Sequence, residues 1–343
     1  MATVYTLPDA AELAAALARY GLSADAATAV SRKPKKPVWR VAAPDGEAYL
    51  KRLPYRRARV VFSAAAGDHL HAQGAGVPRL LRTLDAEVCA TVGRGCYVLC
   101  AAVPGRAPTY ARDLGAIAAA LARFHERSPG FAPPPGSAPR DHLDAWPADY
   151  RQGRARLRAA EALAAGGHPL GASLLACAAE VQGMAREAAE RLAAAFPAAA
   201  AAAAARPRLC HQDFSASNLR IDAAAAVVAF DIDSVAYDLP VRDLRKLLNK
   251  VMKEEGAWSA ERAGAALAAY SAVRPLSGEE RALLLADLRF PHLVSGLVKK
   301  LFLKPAAEWP PEDCSRRLDQ VIAVERSKVA VLQRLAGQWG LPA

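Results

Sequence analysis

Residues 211–218 read His-Gln-Asp-Phe-Ser-Ala-Ser-Asn, and a short way on the apolar run 227–230 ends in Asp231-Ile-Asp233. An acid, an amide five residues later, an apolar strand and then a further acid describe a loop that meets the end of a strand. Such a loop sets Asp213 and Asn218 against Asp231, so that two metal-facing oxygens and one base surround a single phosphoryl group. The chemistry explains the residue types: charge stays on the phosphoryl oxygens through a loose transition state, and Mg2+ takes hard oxygen ligands in near-octahedral geometry.

The spacing H-x-D-x4-N is that of the protein-kinase catalytic loop, in which the Asp accepts the nucleophile's proton and the Asn and a later Asp bind magnesium. Asp213, Asn218 and Asp231 take those places. A nucleotide lysine is then required upstream. Residues 38–41 and 47–53 alternate in character around Asp45-Gly46, which predicts a β-hairpin. Tyr49, Lys51 and Leu53 share one face of it, and Lys51 matches the strand lysine that holds the α- and β-phosphates.

With 343 residues, 53% of them hydrophobic, the chain can bury a large core in two lobes. Its net charge of +11 favours anionic partners such as nucleotides or acidic polymers. The basic clusters at 32–36 and 56–59 come with no nucleic-acid motif, so specific nucleic-acid recognition is not expected. No membrane span is expected either: the alanine-dominated stretch 193–205 is interrupted by Pro197 and is far less apolar than a Leu/Ile span. The six cysteines show neither C-x-x-C pairs nor a regular spacing and read as free thiols, Cys210 as a core residue of a strand. The start of the chain lacks a basic and apolar leader, which predicts residence in the cytoplasm.

Helical spacing at 8–20 and 57–73, with strands at 77–81, 88–92 and 96–100 beside the hairpin, outlines an N-terminal lobe over 1–101. A hinge follows at 102–106. Residues 102–343 read as a C-terminal helical lobe carrying the catalytic loop and an acceptor site. Its helices are expected at 113–127, 144–163, 170–196, 241–254, 260–270, 278–290, 294–301 and 311–335, with the alanine run 198–205 a helix end or connector. The fold expected is α+β and bilobal, protein kinase-like, with a small mixed β-sheet lobe and a larger, mainly α-helical one. His125 reads as a packing or capping residue. Trp258, Tyr270, Phe290, His292 and Trp309 are candidates for an acceptor pocket, although such aromatic positions are more often core.

No Ala-Pro-Glu segment follows Asp231, and Gln212 stands where protein kinases carry an Arg. Both features favour a small hydroxylated acceptor over a protein. The stretches 209–219 and 230–248, with Tyr49-Leu-Lys51, Gly76-Val-Pro78 and residues 121–125, resemble the CotS/CotI family of spore coat proteins. That family sits within the aminoglycoside phosphotransferase and choline kinase superfamily, and the similarity covers nearly the whole chain. The resemblance implies MgATP as donor, a place in the mother-cell cytoplasm and the endospore coat, and other coat proteins as partners. By position it makes Asp213 the catalytic base, Asn218 and Asp231 the magnesium ligands and nucleotide contacts, and Lys51 the phosphate contact. His211 braces the loop, Asp233 supports the metal group, and Asp243 buttresses the catalytic loop.

The chain departs from that pattern twice. Residues 31–37 contain no glycine-rich loop, although their cations could partly substitute for backbone amides. The helix at 57–73 has no Glu, only Asp68, so the ion pair that fixes the strand lysine is absent or made by a shorter acid. Three readings follow: an ATP-dependent kinase acting on a hydroxyl of a sugar or amino sugar, a nucleotide-binding pseudokinase serving as a structural coat component, and a basic polyanion binder whose binding collapses with salt.

Overall fold

A computed structural model describes residues 6–303 and 310–342. The chain divides into two compact units, Met1–Asp141 with Arg208–Tyr237, and His142–Pro207 with Asp238–Ala343. The catalytic-loop motif therefore belongs to the same unit as the sheet.

In the first unit, α1 (Ala10–Ala18) is capped by Asp9, whose side chain accepts the Glu12 amide at 2.7 Å. Strands β1 (Thr28–Ser31), β2 (Val38–Ala43) and β3 (Gly46–Leu53) precede α2 (Arg57–Ala72), and β4 (Leu80–Leu81), β5 (Ala90–Val92) and β6 (Gly95–Ala101) follow it. The strand order is β1-β2-β3-β6-β4, β5 also pairs with β6, and these pairings are all antiparallel. Alternation along β3 sends Ala48 and Leu50 into a core with Leu17, Trp39, Val41, Tyr97 and Leu99. Tyr49, Lys51 and Leu53 take the other face, as the hairpin reading requires. The sequence gives no sign of β1, because Thr-Ala-Val-Ser is short and mostly exposed; pairing with β2, across an irregularity between Ala29 and Ser31, makes it a strand.

Helix α3 (Tyr110–Glu126) buries Leu114, Ile117, Leu121 and Phe124, and His125 is buried with them. Later in the chain, β7 (Leu209–Cys210) pairs with β10 (Ala236–Tyr237), and β8 (Leu219–Ile221) pairs with β9 (Val227–Ala229). The β8–β9 hairpin is tied to earlier backbone at two places. Arg106 and Ile221 exchange N–H to carbonyl bonds of 3.0 and 2.9 Å, and the Ala229 amide donates to Gly76 O at 2.7 Å. Gly105 permits the first contact: its φ is +124°, and a Cβ there would lie 2.1 Å from Ile221 O.

The second unit contains only helices among its described elements: α4 (Trp146–Ala165), α5 (Gly171–Leu175), α6 (Ala178–Ala205), α7 (Pro240–Glu255), α8 (Ala260–Val273), α9 (Gly278–Arg289), α10 (His292–Val298) and α11 (Pro311–Gln338). Helix α6 runs through Pro197, so the alanine run is helical. Trp258, Tyr270 and Phe290 are buried core residues, His292 bonds to Asp287, and Trp309 lies outside the described residues. A dense polar cluster around Asp287 lies in the core of this unit. Asp287 accepts from Tyr150 Oη at 2.7 Å and Arg245 Nε at 3.1 Å, and its Oδ1 lies 2.7 Å from His292 Nε2.

All six cysteines are free. Burial pushes the Cys89 thiol up to about 11, which keeps it protonated at neutral pH. No helix among the described residues is long and apolar enough to cross a membrane.

Candidate active site

After β7 the chain enters the loop through Gln212, whose φ of 70° is left-handed and costs a non-glycine residue on the order of 1 kcal/mol. The buried His211 holds that turn from inside. Its Nδ1 accepts the Asp213 amide at 3.2 Å, which leaves Nε2 to donate to Phe230 O at 3.1 Å and fixes the tautomer. Phe214, also buried, packs on the rings of His211 and Phe124. The Asp213 carboxylate is left exposed on a rigid base.

Asn218 Nδ2 donates to Asp213 O at 3.0 Å and Asp213 Oδ2 at 3.2 Å, and the Phe230 amide donates to Asn218 O at 3.0 Å. Backbone and side-chain bonds thus join the loop to the end of β9, where Asp231 follows. Asp231 is itself left-handed, with φ 62° and ψ 47°. Strain of this kind persists only where the surroundings over-determine it, and it gathers at functional sites.

Lys51 is ion-paired with Asp231, 180 residues further along the chain, and its Nζ lies 3.4 Å from Asp233 Oδ2. Lys36 Nζ reaches the same Asp233 oxygen at 2.6 Å. Asp233 is buried, and neither of its oxygens has a well-directed hydrogen-bond donor; the two ammonium groups are what compensate it. Burial pushes the Asp231 carboxyl up, but its pairing with Asp233 and the Lys51 charge outweigh that and hold it below the usual carboxylate range. Burial raises the Asp233 carboxyl instead, and the neighbouring Asp231 adds to the rise. Desolvation works against the Lys36 ammonium, yet the bond and charge of Asp233 raise its pKa above that of a free lysine.

Helix α2 supplies no acid to Lys51. Asp68 pairs with Arg82, and α2 meets the residue after Asp231 through Gly67, where a Cβ would lie 2.1 Å from Ile232 Cδ1. The two aspartates do for Lys51 what a helix acid would otherwise do.

A cavity of about 500 Å³ opens beside these groups. Val38, Leu53, Leu80, Val98 and Phe230 make it apolar over much of its wall, and Lys36, Lys51, Asp231 and Asp233 give it a charged part. Its volume and mixed lining are those of a small-molecule site. The structure therefore brings Lys51, His211, Asp213, Asn218, Asp231 and Asp233 together in one unit. Asp243 is buried in the first turn of α7, in the other unit.

Two lining residues escape a reading of the sequence. Arg220 holds its guanidinium 5.2 Å from the centre of the Phe230 ring; the signal for it was the two-residue alternation of β8, which buries Leu219 and Ile221 and turns Arg220 to the other face. Lys36 carries no local signal that separates it from Arg32, Lys33 and Lys35. As for a metal, the available donors are carboxylates and an amide oxygen, while both His211 nitrogens are engaged. That set fits a hard divalent cation.

Comparison with known proteins gives the family and the fold. Residues 28–276 match the sequence model of the Phosphotransferase enzyme family. Spore coat protein S of Bacillus subtilis is 29% identical over 325 residues, covering 93% of this chain and 92% of that protein. The crystal structure of an aminoglycoside phosphotransferase from Alicyclobacillus acidocaldarius superimposes with a TM-score of 0.78 at 19% identity, over 99% of this chain and 98% of the other. An amicoumacin kinase solved with AMP-PNP and Ca2+ gives 0.63 at 15% identity, over 94% and 95%. With the family match spanning most of its length, and with the α+β, protein kinase-like fold of these structures, the chain belongs to the phosphotransferase enzyme family.

Proposed function

We propose that the chain is an ATP-dependent kinase that transfers a phosphoryl group to a hydroxyl of a small molecule such as a sugar or amino sugar. The observation that carries this reading is that Asp213 and Asn218 are hydrogen-bonded to each other, that Asn218 O accepts the amide of Phe230, the residue before Asp231, and that Asp231 pairs with Lys51 at the cavity of the same unit. In it, Asp213 accepts the acceptor hydroxyl's proton as the oxygen attacks, a task that needs an exposed carboxylate on a rigid loop. His211 keeps that loop in place, and Lys51 meets the nucleotide phosphates. Asn218 and Asp231 would hold Mg2+, with Asp233 in support; the ion neutralises charge building on the phosphoryl oxygens. Asp243 acts as a buried buttress. The likeness to spore coat protein S supports a place in the spore coat, with synthesis in the mother-cell cytoplasm and coat proteins as neighbours.

Calorimetric titration of ATP, with and without Mg2+, into the wild type and Asp231→Asn tests the reading. Expected is metal-dependent binding that weakens in the variant, after which acceptors are screened with Asp213→Ala as the inactive control. Binding indifferent to metal and to the substitution would leave a polyanion binder. Nucleotide binding without transfer to any hydroxyl compound would favour the inactive coat component.

A further inference from the structure

Between Gly21 and Gly46 the chain has no glycine. Residues 32–37, which join β1 to β2 beside the cavity, therefore cannot bring bare backbone close to a polyphosphate in the way a glycine-rich loop does. Their amides are also poorly placed to serve. Pro34 and Pro37 carry no N–H. The Lys33 amide donates to Ser31 Oγ at 3.5 Å and the Lys36 amide to Lys33 O at 3.0 Å. With those four positions unable to offer an amide, side chains have to supply much of any attraction this connection has for phosphate.

Of its four cations, Arg32, Lys33 and Lys35 are exposed, and only Lys36 is half-buried, with its ammonium on Asp233 at 2.6 Å and 5.5 Å from the centre of the Tyr55 ring. Asp233 is shared with Lys51, whose Nζ is 3.4 Å from the same oxygen. When Lys36 leaves, Asp233 therefore keeps one ammonium within reach, the Lys51 group that it shares with Asp231. A lysine on a flexible stem, parked on a carboxylate that has a second partner and lining the cavity, is arranged to move onto an incoming anion.

We infer that Lys36 is a phosphate-contacting residue that replaces the backbone amides of a glycine-rich loop, leaving Asp233 to Lys51 when a nucleotide polyphosphate enters. This rests on the nucleotide reading of the same cavity. It assigns to Lys36 a specificity for the number of phosphates: the more phosphate groups a ligand carries, the more it gains from the residue.

The test is a dissociation-constant series for ATP, ADP, AMP and adenosine, measured by calorimetry in EDTA, on the wild type, Lys36→Ala, Lys36→Met and Lys36→Arg, with thermal melts of each. Lys36→Ala and Lys36→Met should weaken ATP about tenfold, ADP less, and adenosine not at all, and Lys36→Arg should recover most of the ATP affinity. The wild-type affinity for ATP should fall with salt more steeply than that of Lys36→Ala. Equal ATP affinity in wild type and Lys36→Ala would overturn the assignment, and so would an equal loss for ATP and adenosine, which marks a purely structural ion pair. A wild type that binds adenosine and ATP alike denies Lys36 this role while leaving the cavity a nucleoside site. A wild type that binds none of the four compounds removes the nucleotide reading, and this inference with it.

Discussion

Two carboxylate clusters, one in each unit, are built on opposite terms. In the helical unit, Asp287 is 1% exposed and meets a hydroxyl, a guanidinium and an imidazole at hydrogen-bonding distance. In the other unit, Asp231 and Asp233 face a cavity, one of them on left-handed backbone and the other with two ammonium groups within 3.4 Å and no well-directed donor. The first cluster is closed and satisfied, which is how a buried charge serves a fold. The second is open and held by partners that can be exchanged, which is how charge serves a ligand. Ion pairing alone does not tell the two apart; the directed donors and the adjoining space do.

The sharpest separation comes from the Asp213 loop. Asp213→Ala should lower phosphoryl transfer about a thousandfold, roughly 4 kcal/mol, with the ATP dissociation constant nearly unchanged, as steady-state kinetics beside calorimetry would report. A parallel loss of nucleotide affinity would mean that Asp213 holds the site together instead of acting in it.

Next in size is the closed cluster. Asp287→Ala should cost about 3 kcal/mol in urea unfolding and leave nucleotide affinity intact. Its dependence on pH has a definite sign. Burial pushes the Asp287 carboxyl up, but Arg245 and its other partners outweigh this and hold its folded pKa below the unfolded value. Its contribution is therefore present above about pH 4 and lost as pH falls through the carboxylate range. Burial, then the Arg245 charge, lowers the His292 pKa, so the unfolded chain takes up that proton first below about pH 6.5. Both groups make the wild type less stable as pH drops from 6.5 toward 4 and below. Unfolding curves that stay flat across that window would contradict the closed-cluster account.

A smaller effect probes the seam between α2 and the Asp231 turn. Gly67→Ala should cost about 2 kcal/mol by driving a methyl into Ile232, and Gly67→Ala with Ile232→Ala should recover part of it, because the added volume is given back. The smallest is Ser277→Ala at the reciprocal cap of α9, about 1 kcal/mol of stability and no change in nucleotide affinity. If the cap mutation moved ATP binding, the separation of the two regions would itself be wrong.

Much of this was legible beforehand, for local reasons. Loop spacing is a local property, so the six residues from Asp213 to Asn218 could be read as one turn that lets the Asn amide reach back to the Asp. Alternation along β3 is equally local, and it put Lys51 on the face opposite Ala48 and Leu50. Helix α6 shows the limit, since Pro197 and featureless alanine left open whether 198–205 continued the helix. Strand β1 was out of reach, because four residues with little periodicity become a strand only through β2.

What the sequence determined by itself is therefore the chemistry on offer: an acid, an amide and two further acids in a fixed order, a strand lysine, a family pattern across most of the chain, and no glycine between positions 21 and 46. Which charges meet was decided by the tertiary structure. Lys51 found Asp231 instead of an acid of α2, Lys36 alone among four neighbouring cations turned inward to Asp233, and Arg220 came to line the cavity. The physical reason is that an ion pair between residues 180 positions apart leaves no mark on the local spacing of either. It exists only once strand register, a left-handed turn at Asp231 and a glycine contact between α2 and Ile232 have set both side chains against the same space.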